Sequence, residues 1–305
     1  MNTYGTKFRL TTYGESHGPA VGGIIDGCPP GVSLDLQAVG ADLARRRQGA
    51  ARQEEDTVQW LSGLRDGITL GTPIAFAVGN RNTRPEDYDM LRDLCRPGHA
   101  DYTYLCRYGL RDHRGGGRAS ARETVARVVA GAIAKQLLAP VSIVAELDTL
   151  APDVPDDTRG GTVRCRIEGL RAGIGDPIFG KLGADLAAAV MSIPSAIGFE
   201  LGAGFAAAAM NGSQYIDRWS NAPSAPLTLT NHCGGIQGGI SNGMPVEFRV
   251  AFHPVATLPQ PLECRAADGT LSTVSVGGRH DRCHVARAAV IVEAMAALCL
   301  INHTL

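Results

Sequence analysis

The chain has 305 residues and a formal net charge of −1 at pH 7. It is long enough to bury a substantial core, and it carries no global charge that would draw it to nucleic acid or an anionic membrane. No segment reads as a membrane span or a secretion signal. The eight cysteines are scattered without a CxxC pair, so neither a metal site nor a disulfide framework is suggested, and a reducing, cytoplasmic compartment is expected. Of the 29 basic residues all but Lys7, Lys135 and Lys181 are Arg. Codon usage in a GC-rich genome explains that bias as readily as does anion handling by bidentate guanidinium groups.

Residues 18–26, GPAVGGIID, read as a buried strand, and Cys28-Pro29-Pro30-Gly31 as a turn. Asp35 is placed to cap a helix running to about Arg47, where Arg45, Arg46 and Arg47 suit the negative end of the dipole. Residues 49–58 read as a polar, mobile loop, and 72–79 as a second strand. From 80 to 118 there is no long periodic segment, only charges, histidines and glycines, the character of a functional loop.

Two predicted helices follow, over 121–139 and 285–301. Both are rich in small residues and apolar around most of their circumference, so both should be buried. Each follows a Gly/Arg loop, HRGGGRAS and GGRHDRCH. Aligning Arg122 with Arg287 superposes the two units, a weak internal repeat that suggests a pseudo-twofold molecule. A single domain with two related halves, about 1–160 and 161–305, is expected. A further helix over 181–193, opened by Asp176-Pro177, and strands over 162–170, 198–210 and 244–252 complete the pattern. Alternation in Val246, Phe248, Val250 and Phe252 gives a sheet with one buried face.

The chemistry concentrates in Gly-bounded loops. In GGGRASARET (115–124), Ser120 and Glu123 form the sequence of a capping box. Three glycines and Arg118 precede it, so backbone N–H groups, a positive helix end and a guanidinium converge where a phosphate would fit. His17 in Gly-Glu-Ser-His-Gly and His99 in Arg-Pro-Gly-His-Ala-Asp sit where no helix or strand face requires them; on the residues alone each reads first as a surface or hydrogen-bonded loop residue and second as a proton carrier. Asp281, in Gly-Arg-His-Asp before the second long helix, is either a cap or a proton carrier. The Gly-rich loop 234–243 would permit close approach of a ligand to the backbone. These residues alone describe an enzyme or binding protein for a multiply anionic small molecule.

At these motifs the sequence resembles the chorismate synthase family. The matches include FRLTTYGESHG (8–18), DGCPPG (26–31), RRRQG with Arg52 beyond, RPGHADYTY (96–104), YGLRDHRGGGRASARETVARVVAGAIAK (108–135), GIGDPIFGKL (173–182), GSQ (212–214), NHCGGIQGGISNG (231–243) and GRHD with the helix after it (278–301). They occur in family order across nearly the whole chain.

The resemblance implies an α+β fold, a β-α-β sandwich with central helices packed between antiparallel sheets, assembled as a homotetramer. It implies 1,4-anti elimination of phosphate from 5-enolpyruvylshikimate 3-phosphate to give chorismate, with reduced FMN required although there is no net redox change. NADPH or a separate flavin reductase would supply reduced flavin. The implied catalytic residues are His17, charge-balancing the flavin, His99, a general acid for the leaving phosphate, and Asp281, which with flavin N5 removes the C6 proton. Ser16, Arg118, Ala119, Ser120, Gly238, His253, Thr257 and Arg279 would contact the cofactor. Arg46 and Arg52 would hold the substrate or NADP. No metal is implied.

The sequence departs from the family in four places. His253-Pro254 stands where the family has Lys-Pro, and imidazole is shorter than a lysine chain and, unperturbed, largely neutral at pH 7. The stretch from Leu138 to Val163 is several dozen residues shorter than usual, and LDTLAPDVPDDTRGGT reads as a Pro/Asp/Gly loop. The chain stops at Leu305 without the usual tail. Pro194 and Ser195 replace other residues near the flavin. These departures leave a second reading, a paralogue that binds flavin or a phosphorylated ligand without turnover. A nicotinamide-dependent flavin reductase finds no GxGxxG in a βαβ setting.

Overall fold

The computed structural model describes residues 1–221, 227–275 and 281–305. It is a mixed α/β structure with several antiparallel sheets. The N-terminal sheet runs Thr3–Tyr4, Arg9–Tyr13, Ala20–Asp26, Ile74–Gly79, Val58–Trp60, each strand antiparallel to its neighbour. In Ile74–Gly79 the alternate residues Ile74, Phe76 and Val78 are fully buried, the period-2 pattern of a strand with one covered face. Helix α1 (Leu36–Arg47) begins as expected: the Asp35 carboxylate accepts from the backbone N–H of Gln37 and Ala38 at 2.8 and 3.1 Å. Helix α2 (Asp101–Tyr108) was not foreseen in the charged 80–118 stretch.

Helix α3 (Thr124–Leu137) continues a 3-10 turn at Ala121–Glu123. Only half of the expected capping box forms. Ser120 Oγ accepts from Arg122 N–H at 3.4 Å, but Glu123 turns along the helix to pair with Arg127 at 2.8 Å. Helix α4 (Leu182–Met191), the single turn α5 (Gly212–Tyr215) and α6 (Val285–Thr304) follow. The second sheet has the order Ala196–Leu201, Val246–Phe252, Gly161–Glu168, Ser142–Leu150, again all antiparallel. The strand expected over 198–210 ends at Leu201 and gives way to a 3-10 turn at Gly204–Ala209. The expected loop of 147–162 is entered by a strand as far as Leu150 and left by one from Gly161.

Helix α3 packs on the N-terminal sheet, α6 on the strands Ser142–Leu150 and Gly161–Glu168, and the two helices pack on each other; α1 flanks α3 and α4 flanks α6. By length and composition α6 could cross a membrane, yet 83% of its apolar window is buried inside the fold. It is therefore fully accounted for as the core helix of this structure. The crossing of α3 and α6 is close. A Cβ added to Gly131 would lie 2.4 Å from the Cα of Ala294, a backbone contact that no rotamer change can relieve. One residue away, Glu293 is buried beside this crossing. Its carboxylate accepts from both Arg45 terminal nitrogens at 2.7 Å, from Lys135 Nζ at 3.1 Å and from Ala145 N–H at 2.9 Å. Burial opposes its ionisation, but Arg45, Lys135 and the Ala145 N–H outweigh it and hold the carboxyl below its ordinary range.

The same substitution should therefore have opposite effects at two helical glycines. Gly131→Ala forces the helices apart and should cost about 1–3 kcal/mol. Gly40→Ala, on α1 with nothing within 4 Å of the new methyl, should stabilise by roughly 0.5–1 kcal/mol. Denaturant unfolding of the two variants checks both signs.

Candidate active site

The N-terminal ends of α3 and α6 open on one cavity of about 620 Å³. One wall carries Ser16 and His17 from the loop after Arg9–Tyr13, with Ala119, Ser120, Ala121 and Arg122 at the start of α3. Another carries His99 and Thr257. The end of α1 and the loop beyond it contribute Arg46 and Arg52, and the far wall is His253, Asp281, His284 and Arg287 with Ile193, Pro194 and Ser195. Two helix N-termini and several guanidinium groups facing one space favour a ligand with several negative charges.

The arginines are held by carboxylates that enter from the 49–58 loop. Asp56 is 5% exposed and accepts from Arg122 Nη1, with Arg46 Nη1 at 3.5 Å. Arg46 also donates to Thr124 Oγ1 at 3.0 Å and to the Ala121 carbonyl at 3.2 Å. Burial, with Arg122 and Arg287 nearby and Asp56 opposing, lowers its pKa to about 10, so it remains charged at neutral pH. Glu54 accepts from Arg52 Nε at 3.0 Å and from the N–H of Arg81 and Asn82 at 3.1 Å. The loop expected to be mobile is thus fastened by buried ion pairs.

His17 sits against Gly115, whose φ is +59°; a Cβ there would lie 2.2 Å from the imidazole. Only glycine gives this ring its place. Tyr88 meets the ring edge-on at 5.1 Å. Arg52 Nη1 donates to the Ser16 carbonyl at 3.0 Å and to its Oγ at 3.1 Å. The buried Nδ1 of His17 has no hydrogen-bond partner among the described residues. Burial and Arg52 lower its pKa, opposed by Asp112. The ring of His99 spans the Pro97 carbonyl, 2.9 Å from Nδ1, and Thr257 Oγ1, 3.0 Å from Nε2. Thr257 therefore orients a histidine in this structure. Asp281 accepts from Ala51 N–H at 2.7 Å and from Arg287.

The cavity gathers most of the expected residues but not all. Arg118 turns to the Thr12 and Gly14 carbonyls and faces a shallower depression lined by Tyr104, Tyr108 and Arg111, which Ala119 also borders. Gly238 sits exposed in the turn between Ile236–Gln237 and Ile240–Ser241, off the cavity wall. Arg279 lies outside the described residues. Sequence reading missed Asp56, Arg122 and Arg287 as site groups, although the helix alignment had already paired the two arginines. It also missed His284, whose Nε2 is 2.5 Å from Ser195 Oγ.

An arginine-lined cavity with histidines and a carboxylate at two helix N-termini defines an enzyme acting on a small polyanion. The family model for chorismate synthase matches residues 8–154 and 152–305. A chorismate synthase of Porphyromonas gingivalis is 46% identical over 347 aligned positions, covering 98% of this chain and 94% of the relative. That of Christiangramia forsetii is also 46% identical, covering 100% and 97%. A crystal structure of a chorismate synthase aligns at TM-score 0.77 and 28% identity over 98% of this chain and 92% of that one. The chain belongs to the chorismate synthase family and is a lyase of the shikimate pathway. The two family matches meet at 152–154, inside the stretch expected to be shortened.

His284 gives this site a pH signature. Burial, Arg287 and His253 push its pKa down to about 4, against the pull of Asp281. The folded protein resists protonating it, so its contribution is intact above the unfolded value near 6.5 and is lost as pH falls towards 4. Relative to His284→Asn, the wild type should lose up to about 3 kcal/mol over that window. Urea unfolding of both proteins between pH 7 and 4 measures the difference.

Proposed function

We propose that this cavity binds reduced FMN together with 5-enolpyruvylshikimate 3-phosphate and catalyses the 1,4-anti elimination of phosphate to give chorismate. The observation that carries this reading is the convergence of His17, His99 and Asp281 with Arg46, Arg52, Arg122 and Arg287 on one cavity at two helix N-termini. The cavity fits a flavin: it is cationic, and it holds a buried ring nitrogen of His17 that lacks a partner among the described residues. When bound, reduced FMN supplies transient electron density to the allylic system and is restored within the cycle.

The side chains then divide the work. Arg46 and Arg52 bind the anionic groups of the substrate. His99, fixed by Pro97 and Thr257, protonates the departing phosphate. Asp281, held by Arg287 and the Ala51 N–H, takes part in removing the C6 proton. His17 sets the charge beside the cofactor, with Ser16 and Ser120 orienting the contacts. Ala119, His253 and Thr257 line the cofactor space; Arg118, Gly238 and Arg279 complete it on rearrangement or from segments beyond the described residues. NADPH or a separate reductase supplies reduced flavin.

The packing of α3 on one antiparallel sheet and α6 on another supports the β-α-β sandwich and the pseudo-twofold relation of halves. Phe179, Phe205, Trp219 and Leu229 are between 65% and 90% exposed, which supports self-association into the homotetramer. Eight free cysteines fit a reducing cytoplasm.

Anaerobic turnover tests the reading. Protein, photoreduced FMN and substrate should yield chorismate and phosphate in equal amounts, and His17→Ala and Asp281→Ala should each lower kcat about 100-fold or more. A folded, FMN-binding protein that makes no chorismate would leave the binding-only alternative. His253→Lys should tighten FMN binding at pH 8, because it places a longer, charged side chain at this wall; unchanged affinity would show that His253 does not face the cofactor.

A further inference from the structure

The far wall of the cavity holds a pair of side chains to which neither the family pattern nor the proposed chemistry gives a task. Ser195 has φ +68°, a conformation that costs a serine about 1 kcal/mol and persists only where its surroundings impose it. Here they do: the Ser195 carbonyl accepts from His253 N–H at 3.0 Å, and its hydroxyl lies between the Pro194 carbonyl and His284 Nε2.

A hydroxyl has one proton. The Pro194 carbonyl can only accept, and with the Ser195 proton on that contact the oxygen offers the imidazole only a lone pair. In that arrangement His284 Nε2 carries the hydrogen, and Nδ1 of the neutral ring is a bare acceptor. Among the described residues Nδ1 has no hydrogen-bond partner, and it is not among the buried side-chain atoms left unpaired. Nδ1 is therefore not sealed from solvent, and His284 is one of the residues lining the cavity.

The groups around the ring keep it neutral. Arg287 on α6 and His253 at the end of Val246–Phe252 disfavour a second positive charge; Asp281 favours one but is already engaged by Arg287 and Ala51 N–H. Phe252 closes one side, edge-on at 6.2 Å. The wall thus combines the Arg287 guanidinium, which attracts an anion, with one neutral acceptor.

We propose that Ser195 and His284 form a specificity-determining pair, in which Ser195 fixes the imidazole tautomer and His284 Nδ1 accepts a hydrogen bond from an N–H or O–H group of the bound ligand. This rests on the reading of the cavity as the ligand site. The donor belongs either to the flavin ring or to the hydroxyl of the cyclohexene substrate. Such an acceptor discriminates against analogues that lack the donor, because a buried nitrogen would be left unpaired.

Nitrogen-15 spectra of histidine-labelled protein test this, with the His284 signals assigned by their loss in His284→Asn. The free wild type should show a protonated Nε2 and an unprotonated Nδ1. The Nδ1 signal should move on adding oxidised FMN in one arm or 5-enolpyruvylshikimate 3-phosphate in the other, and the arm that moves it names the donor. Ser195→Ala, which keeps the same backbone cost, should let the two tautomers mix. For the ligand so identified, His284→Leu should weaken binding about tenfold, and His284→Asn, whose side-chain oxygen can replace Nδ1, should stay within about twofold. A hydrogen on Nδ1, or an Nδ1 signal unmoved while flavin fluorescence shows FMN bound and the substrate also binds, overturns the pair's role alone. Absence of binding by both ligands to the wild type overturns the reading of the cavity and this proposal with it.

Discussion

Everything in this fold is registered against the crossing of α3 and α6. Two helices with small residues at their contact can approach until backbone meets backbone, and at Gly131 and Ala294 they do. Such a contact has no tolerance in depth, but it can slide along the helix axes. Glu293 removes that freedom. A buried carboxylate satisfied at once by Arg45 on α1, Lys135 on α3 and the Ala145 N–H of the second sheet has one acceptable position. Displacing α6 by one turn would leave a charge unpaired in the core. Such a network is weak evidence for net stability and good evidence for uniqueness, since a hydrophobic replacement could stabilise as much without fixing the register.

The cavity inherits that register. Seven residues before the crossing on each helix, two turns up, stand Thr124 and Arg287, both at the cavity wall. The helix ends therefore arrive together without any loop having to place them. The cost is that two positive helix ends and seven arginines share the lining of one cavity. Asp56 and Asp281 offset part of it, and each does so by tethering the 49–58 loop or being tethered by it. Fixed charges of this kind need no reorganisation when a polyanionic ligand arrives, and they are strongest where water is excluded.

The sequence displays those features whose signal is local. The Asp35 cap, the alternation in Val246–Phe252 and the small apolar faces of the two long helices are written within a few residues, and all appear where expected. Helix α2 is only eight residues and half exposed, too short for its period to emerge from the surrounding charges. The strand Ser142–Leu150 hides for a different reason: its pairing shifts register opposite Thr162 and Val163, which leaves Leu147 exposed and breaks the alternation, while an apolar Val144 on the outward face blurs it further. The 49–58 loop misleads most. Asp56 looks solvated, and it is buried only because Arg46 and Arg122, 10 and 66 positions away, close on it. No window of sequence contains that information. The same holds for His284, an ordinary loop residue until Ser195, 89 positions earlier, is seen beside it.

Among the residues where this chain leaves the family pattern, Pro194, Ser195 and His253 fall on one wall. Ser195 and His253 are joined through the Ser195 carbonyl, and Ser195 reaches His284 through its hydroxyl. Removing a flexible ammonium from such a wall subtracts charge; adding an imidazole and a hydroxyl gives back directional hydrogen bonding. The two are not equivalent. An ammonium on a four-carbon stem follows its ligand and tolerates misplacement, whereas an imidazole held by a strained serine accepts one geometry. The far wall consequently trades reach for selectivity, and that trade is sustainable only because the opposite wall, with Arg46, Arg52 and Arg122 anchored on buried carboxylates, already supplies the attraction.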